Sequence, residues 1–297
     1  MTAPGTPPGT PPVIGVIGGS GIYEIDGLEN TRWEAVASPF GTPSDELLFG
    51  DLAGQKMVFL PRHGRGHKIP PADVNYRANI DALKRAGVTE ILSVSACGSL
   101  KEHLPPGTFV IADQFIDRTI QREKTFFGPG LVGHVALGHP VCGRLGDAVE
   151  AACKEVGIEA VRGGTYLAME GPQFSTLAES NLYRSWGCDV IGMTNMPEAK
   201  LAREAEICYA TVAMVTDYDC WHPDHDHVTV DAIIKVLLDN AEKGRTLVKQ
   251  VAPKLSGRAE TCSHGCQTAL EHALITAPDA RDPDMIQKLS AVAGRVL

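Results

Sequence analysis

No stretch of this 297-residue sequence reaches the roughly 18 consecutive apolar residues that a membrane-spanning helix requires. Residues 1–12 are rich in threonine, proline and glycine and carry no charged side chain. They lack the apolar core of a secretory signal and the arginines of a transit peptide. We therefore expect no membrane association, a disordered tail over 1–12 and a cytoplasmic location.

Basic residues are also outnumbered: 27 lysines and arginines against 36 aspartates and glutamates give a formal net charge of −9 at pH 7. General nucleic-acid binders and proteins that adhere to anionic membranes need basic patches, so both classes are disfavoured. A small anion remains compatible with this composition, since one or two arginines can hold a phosphate inside an acidic protein.

The sequence contains eight cysteines but no complete zinc-ligand signature. Most cysteines lie in apolar surroundings and are expected to be reduced, buried thiols. The pair Cys262 and Cys266 encloses a histidine, which leaves open free thiols, a redox-active pair or half of a metal site. The dense His/Asp tract 221–227 is more typical of a surface loop than of a closed metal site. We expect no metal at either place.

The order of predicted elements is the main evidence for the fold class. Apolar strand-like runs alternate with amphipathic helical segments, which favours an α/β protein with a largely parallel sheet. Repeats and internal linkers are absent. We predict a three-layer α/β/α domain over 13–255 and a helical extension packed on it over 256–297. Strands are expected at 13–17, 47–50, 56–60, 88–94, 109–112, 164–169, 188–193 and 207–215, and helices at 74–86, 145–156, 177–186, 198–206, 230–251, 267–275 and 284–292.

The glycine-rich segment 15–21 follows the first strand with the pattern G-x-x-G-G-x-G. Such a turn can present backbone N–H groups to an anion, and Ser20 can add a hydroxyl donor. The segment has neither the lysine of a Walker A loop nor the dinucleotide-binding spacing. By itself it is equally typical of a plain strand-to-helix turn.

Two further predicted strands end in groups that suit an anion. Arg62 offers a planar fork of donors that matches phosphate, and His63 adds a neighbouring donor, although a solvated basic loop would look the same. Small hydroxyl residues, including Ser95, close the strand 88–94. Because ligands of open α/β sheets bind at the carboxyl ends of strands, these segments together predict an anion site.

Two later segments suit a sugar and a flat ring. Met193 can pack on a sugar face and Thr194 can bond its hydroxyls, although a methionine there is more often a core residue. Phe174 and Ser175, between a strand and a helix, can lie against a planar ligand.

Asp217 and Asp219 follow an apolar strand and flank one residue. If the chain is extended there, both carboxyls point to the same side, and mutual repulsion raises one pKa. A protonated and an ionised carboxyl could donate to a ring nitrogen and accept from an amine. A turn or helix-cap cluster is the structural alternative.

These motifs together resemble the trimeric purine-nucleoside phosphorylases over residues 14–251. The most specific segments are 18–23 (GGSGIY), 61–64 (PRHG), 74–80 (VNYRANI), 96–100 (ACGSL), 113–119 (DQFIDRT), 170–175 (EGPQFS) and 216–221 (TDYDCW). The resemblance implies phosphate binding by Ser20, Arg62, His63, Ser95, Ala96 and Thr194. It implies nucleoside binding by Met193, Phe174, Ser175, Asp217, Asp219, Val230, Ile233 and His134, with His134 acting on a neighbouring subunit's site.

The implied reaction is phosphorolysis of 5′-methylthioadenosine to adenine and 5-methylthioribose 1-phosphate, with Asp217 and Asp219 as the catalytic pair. Phosphate is a co-substrate, no cofactor is expected, and the implied assembly is a homotrimer. Gly192 stands where many adenine-selective members carry asparagine, so a 6-oxopurine phosphorylase remains an alternative. A nucleoside hydrolase and a non-catalytic nucleoside-binding protein are the others.

Overall fold

The central strands are continuous apolar runs buried on both faces, between two layers of helices. The computed structural model describes residues 12–19, 21–223, 230–255 and 262–297, and for 230–234 it describes the backbone alone. The strands are β1 Ile14–Gly18, β2 Leu28–Glu34, β3 Leu47–Leu52, β4 Gln55–Pro61, β5 Glu90–Ser99, β6 Phe109–Ile111, β7 Gln114–Arg118, β8 Ala160–Arg162, β9 Thr165–Met169, β10 Val190–Gly192 and β11 Cys208–Asp217. The helices are α1 Tyr76–Arg85, α2 Gly143–Glu155, α3 Leu177–Ser185, α4 Asn195–Glu204, α5 Val230–Leu255 and α6 Pro283–Lys288.

The sheet branches at β5. One path runs β2-β3-β4-β1-β5-β10-β9-β7. The second path leaves β5 through β11, which also pairs with β6, and β6 pairs with β8. The pairs β4/β1, β1/β5, β5/β11, β6/β8, β7/β9 and β9/β10 are parallel, and β2/β3, β3/β4, β5/β10 and β6/β11 are antiparallel. The predicted mixed, largely parallel sheet is confirmed.

Residue alternation along β4 and β11 builds the two sides of the core. Val58 and Leu60 face one apolar cluster, which contains residues of α1 and α4. Met57 and Phe59 face a second cluster, which contains residues of α2 and α5. The predicted three layers follow from this division.

The end of β5 differs from the prediction. The strand continues to Ser99 rather than ending at residue 94, because one edge stays paired with β11 as far as Gly98 while the other edge, paired with β1 as far as Ser93, pairs with β10 at its end. Ser95 and Ala96 therefore lie within a strand, at the point where the two sheet paths diverge. The prediction also missed the short or exposed strands β2, β7 and β8.

The helix predicted at 267–275 is wrong, and the one predicted at 284–292 is confirmed only as far as Lys288. A 3₁₀ turn covers Cys266–Thr268, and turns follow it. Leu274 then forms an isolated β-bridge with Gly133, which requires extended backbone rather than helix. In the second segment only Pro283–Lys288 is α-helical.

Apolar and charged contacts hold this last segment against the rest of the chain. Leu270 and Leu289 belong to the same core cluster as Leu201 of α4. The guanidinium of Arg295 pairs with the carboxylate of Glu206 at 2.8 Å. The predicted division at residue 255 stays a prediction, and residues 1–11 of the predicted tail lie outside the described residues. No described helix combines the length and apolar character that crossing a bilayer requires.

Candidate active site

A cavity of about 370 Å³ opens where the carboxyl ends of β1, β4, β5, β10 and β11 converge. This volume suits a small molecule. Most of the predicted site residues line it, namely Arg62, His63, Ser95, Ala96, Phe174, Met193, Thr194, Asp217 and Asp219. The rule that ligands bind at strand ends therefore located the site.

Five predicted residues are not among those lining residues. Ser20 lies outside the described residues, as do the side chains of Val230 and Ile233. Ser175 is buried beside the cavity, where its hydroxyl contacts the sulfur of Met169 at 3.7 Å. His134 is exposed and does not line this chain's own cavity.

The Arg62 guanidinium forms the floor of the cavity and is almost fully buried. Its Nε and Nη2 donate to the two carboxylate oxygens of Glu198 at 2.8 and 3.0 Å. The planar fork that the sequence assigned to phosphate therefore binds a carboxylate of the protein. Nη1 donates to the carbonyl oxygen of Val94 at 3.2 Å, and its other hydrogen is the one that suits a ligand in the cavity.

Glu198 is the hub of this floor. Besides Arg62, its carboxylate accepts from the hydroxyl of Ser93 at 2.6 Å and from the hydroxyl of Tyr209 at 2.8 Å. Burial opposes the charge of Arg62, but the carboxylate of Glu198 outweighs it and raises the pKa of Arg62. The guanidinium therefore stays protonated, and the carboxylate of Glu198 balances its charge.

His63 is neutral in this site. Burial, aided by the charge of Arg62, lowers the pKa of its imidazole to about 4. Its Nδ1 lies 2.8 Å from the carbonyl oxygen of Ile69. Because a carbonyl only accepts, Nδ1 carries the proton, and Nε2 is left as an acceptor. His63 can thus accept a hydrogen bond from a ligand hydroxyl through Nε2, whereas the sequence predicted a donor.

Hydroxyl and amide groups line the remainder of the polar end. The Ser95 hydroxyl donates to Oδ1 of Asn195 at 3.2 Å, and Nδ2 of Asn195 donates to the hydroxyl of Thr211. Thr194 occupies the cap position of α4 but makes no side-chain cap hydrogen bond, so its hydroxyl is available to the cavity.

Asp217 and Asp219 form the opposite polar end of the cavity. The carboxylate of Asp217 accepts from the Thr216 hydroxyl and from the backbone N–H of Asp219, both at 2.7 Å. Asp219 has a positive φ of 55°, so the chain turns here and is not extended as predicted. Gly98 makes this approach possible, since a Cβ on it would lie 3.0 Å from Oδ1 of Asp217.

Burial raises the pKa of both carboxyls. For Asp217, the bonds from Thr216 and from the Asp219 backbone oppose that rise. For Asp219, the nearby charge of Asp217 adds to it, while the Ser180 hydroxyl opposes it. The predicted upward shift is found, but desolvation rather than mutual repulsion is its first cause.

Apolar side chains close the space between the two polar ends. Met193 and Phe174 line it as expected, and Phe174 is 74% exposed. Leu237 and Ala241 of α5 line it as well, and reasoning from the sequence missed them. They continue the spacing of three or four residues from Ile233, so the helical period could have indicated them.

The chain matches the family model of the phosphorylase superfamily over residues 13–253. The chain belongs to the phosphorylase superfamily. The strand-end cavity lined by Arg62, His63, Asp217 and Asp219 is therefore the candidate active site.

Relatives within the superfamily are close in sequence. The chain is 70% identical over 286 residues to the S-methyl-5′-thioadenosine phosphorylase of Rhodospirillum rubrum, covering 96% of this chain and 97% of that one. It is 63% identical over 285 residues to the protein of the same name from Cereibacter sphaeroides, covering 96% and 98%.

A solved structure of methylthioadenosine phosphorylase from an antarctic soil metagenomic library superimposes with a TM-score of 0.90. It is 46% identical and covers 94% of this chain and 98% of its own. The Schistosoma mansoni methylthioadenosine phosphorylase in complex with adenine gives a TM-score of 0.76 at 36% identity, covering 82% and 92%.

Arg122 is a positioning residue that the sequence analysis missed. Its side chain is buried and pairs with Glu170 at 2.9 Å. It also donates to the backbone oxygens of Glu170, Met193 and Met196. One guanidinium thus joins the segment before Phe174 to the segment that carries Met193. Only the motif 113–119 just before it marked this region of the sequence.

Gly192 has a steric reason to be glycine in this member of the superfamily. A Cβ added there would lie 1.9 Å from the hydroxyl oxygen of Tyr166 and 2.6 Å from its Cζ. Tyr166 is fully buried and lies on β9, next to β10. Its phenol therefore fills the space into which an asparagine side chain at 192 would start.

Replacing Glu198 by Gln tests the floor of the cavity. Removing one partner of a buried ion pair leaves the other charge uncompensated, which typically costs about 3–5 kcal/mol. We expect E198Q to lose roughly that much free energy of unfolding in denaturant titrations, and to lose phosphate-dependent activity. The exposed Glu242→Gln variant is the control, and equal stability of the two variants would contradict the role of Glu198.

Replacing Gly192 by Ala tests the contact with Tyr166. Overpacking of a buried site typically costs about 1–3 kcal/mol, so we expect a lower thermal midpoint and weaker nucleoside binding for G192A. Gly138 has open space around its Cβ position, and Gly138→Ala is the matched control. Wild-type stability of G192A would show that Tyr166 does not occupy this space.

Proposed function

We propose that the chain catalyses phosphorolysis of 5′-methylthioadenosine, giving adenine and 5-methylthioribose 1-phosphate. The observation that carries the proposal is the arrangement of one cavity, with Arg62 and His63 at one end and two buried carboxyls at the other. The names of the relatives from Rhodospirillum rubrum and Cereibacter sphaeroides support this substrate.

Phosphate belongs at the cationic end. Arg62 is proposed to supply one N–H and Thr194 a hydroxyl donor, while the Ser95 hydroxyl is proposed to turn from Asn195 to the phosphate. Neutral His63 accepts a hydrogen bond from the hydroxyl of monohydrogen phosphate through Nε2. Ser20, after the glycine turn, is proposed to add a donor, and Ala96 to contribute its backbone. These groups hold the nucleophile in place, which lowers the entropic cost of the attack.

Adenine belongs at the carboxyl end. Asp217 is proposed to donate its proton to N7, and Asp219 to accept from the exocyclic amine. Burial raises the pKa of both carboxyls, which favours the protonated form that this role requires. A base protonated at N7 leaves more easily, because the electron pair of the broken bond then neutralises a cation.

The balance of the step is simple. The bond between N9 and C1′ breaks, and its electron pair moves into the purine. A phosphate oxygen forms the new bond to C1′, and the proton of Asp217 ends on adenine. The step needs no electron donor or acceptor, so we propose that no cofactor takes part.

The apolar wall between the two ends suits the ribose and the methylthio group. Met193 is proposed to lie along the sugar, with Phe174 and Ser175 next to the base. Val230 and Ile233 are proposed to form the floor of the methylthio pocket. Leu237 and Ala241 of the same helix line the cavity farther along α5.

We further propose a homotrimer in the cytoplasm that acts in purine and methionine salvage. The exposure of His134, away from its own cavity, supports a role at a neighbouring subunit's site.

Base release should depend strictly on phosphate. Incubating the protein with 5′-methylthioadenosine and inorganic phosphate should release adenine, and omitting phosphate should abolish release. Chromatography of the free base measures this, with inosine and methylthioinosine assayed in parallel.

The other outcomes each have a distinct meaning. Adenine release without phosphate would indicate a hydrolase, and faster turnover of the hypoxanthine nucleosides a 6-oxopurine phosphorylase. Binding of the nucleoside with no release under any condition would indicate a non-catalytic binding protein.

Asp217→Asn should lower kcat/KM by on the order of 10²-fold, as loss of a general acid does. Because burial raises the pKa of Asp217, its proton is present at low pH and is lost as the pH rises through that pKa. The wild-type pH profile should therefore fall on its basic side, and this limb should be missing in D217N. The exposed Asp279→Asn variant is the control, and an unchanged rate for D217N would rule out the assigned role.

A further inference from the structure

Four cysteine sulfurs meet at one point, away from the cavity. The Sγ atoms of Cys142, Cys208, Cys262 and Cys266 all lie within 4.8 Å of one another, and all four residues are buried free thiols. Cys142 precedes α2, Cys208 begins β11, and the other two belong to the segment after α5. The fold therefore brings together distant parts of the chain.

The sulfur separations suit a tetrahedral ion. Sγ of Cys262 lies 3.4 Å from that of Cys142 and 3.3 Å from that of Cys266. Four sulfurs at about 2.3 Å from zinc are roughly 3.8 Å apart, so a small adjustment would complete the tetrahedron. Sulfurs that bind one ion all lie close to one another, as these four do, whereas a disulfide brings together only two sulfurs.

A tight turn brings the two nearby cysteines together. Gly265, just before Cys266, has a φ of 62°, a conformation that glycine adopts freely. Its N–H donates to the carbonyl oxygen of Cys262 at 2.9 Å. The C-x-x-x-C segment is thus shaped so that both sulfurs point to one place.

Positive groups surround the sulfurs, as a zinc ion with four thiolates and a net charge of −2 requires. Nη1 of Arg203 lies 3.4 Å from Sγ of Cys266. Nη2 of Arg144, which also pairs with Glu90, lies 3.9 Å from Sγ of Cys208. Cys142 caps the N-terminus of α2, where the helix dipole favours a negative charge.

We propose that Cys142, Cys208, Cys262 and Cys266 form a closed structural zinc site. Soft thiolates select zinc over magnesium or calcium, and four protein ligands leave no open position for substrate. β11 has 10 residues, so at about 3.3 Å per residue Cys208 lies roughly 30 Å from Asp217 at the other end. The ion would fasten the C-terminal segment to α2 and β11 and take no part in catalysis.

This proposal replaces the expectation of no metal. The sequence displayed only the half of the site that Cys262 and Cys266 provide. The other half, Cys142 and Cys208, is separated from it by more than 50 residues and has no recognisable spacing.

Metal analysis of the untagged full chain, purified with reductant and without chelators, is the first test. We expect about one zinc ion per chain, released stoichiometrically by a thiol-specific mercurial. Replacement by Co²⁺ should give the thiolate charge-transfer and d–d bands of a tetrahedral four-sulfur site. These measurements use the wild-type protein and do not depend on whether any variant folds.

Cys262→Ser should lose the bound zinc and unfold at a lower temperature, while kcat for the folded fraction stays at the wild-type value. Cys153→Ser, a buried cysteine of α2 outside the cluster, is the matched control and should keep its zinc. A zinc content in C262S equal to that of C153S would overturn the ligand assignment.

Two results for the wild-type chain would overturn the proposal. One is a metal-free protein whose cysteines form disulfides by mass spectrometry, which would make this a redox cluster. The other is a protein with free thiols that takes up no zinc or cobalt on reloading. Neither result bears on phosphate-dependent release of adenine, so failure here is separable from failure of the proposed function.

Discussion

The buried ion pair between Arg62 and Glu198 is the interaction on which the active-site end of the molecule depends. Its partners are 136 residues apart and both almost fully buried. Two charges out of water are tolerable only when each has the other and further hydrogen bonds besides. Ser93 of β5 and Tyr209 of β11 supply those bonds. The carboxylate therefore fixes β4, β5, β11 and α4 relative to one another, and a partly assembled floor would be strongly destabilised.

The same pair determines how an anion can bind. Since the fork of Arg62 faces Glu198, a phosphate at this end could receive one N–H from Arg62 rather than a bidentate contact. In the proposed reaction, the other contacts to phosphate would then come from hydroxyls, the backbone and His63. Recognition of the anion would thus be divided among several neutral groups.

Much of the fold and of the site could be predicted because the relevant information is local. Apolar runs located β1, β4 and β11, and glycines, hydroxyls and charges near the ends of the strands marked the cavity. What the sequence could not supply are contacts across the chain. The end of β5 is set by its pairing with β10, and Glu198 becomes the partner of Arg62 only once α4 packs on the sheet. Likewise the phenol of Tyr166, not any property of residue 192 itself, requires glycine there. The turn at Asp219 was missed because the prediction assumed extended backbone there, whereas φ of Asp219 is positive.

β11 joins the two ends of the molecule that carry chemistry. Its residues are buried from Cys208 to Thr216, and it ends at Asp217 in the cavity. A buried strand transmits position well, because a close-packed core cannot deform without losing contacts. Fixing its first residue to α2 and to the C-terminal segment would thus limit sliding of the strand along β5. The pairing of β11 with β5 from Cys208 to Asp217 holds Asp217 in place whether or not an ion is bound. The proposed zinc site would therefore act on stability alone, since an ion that binds only the folded chain stabilises it by mass action.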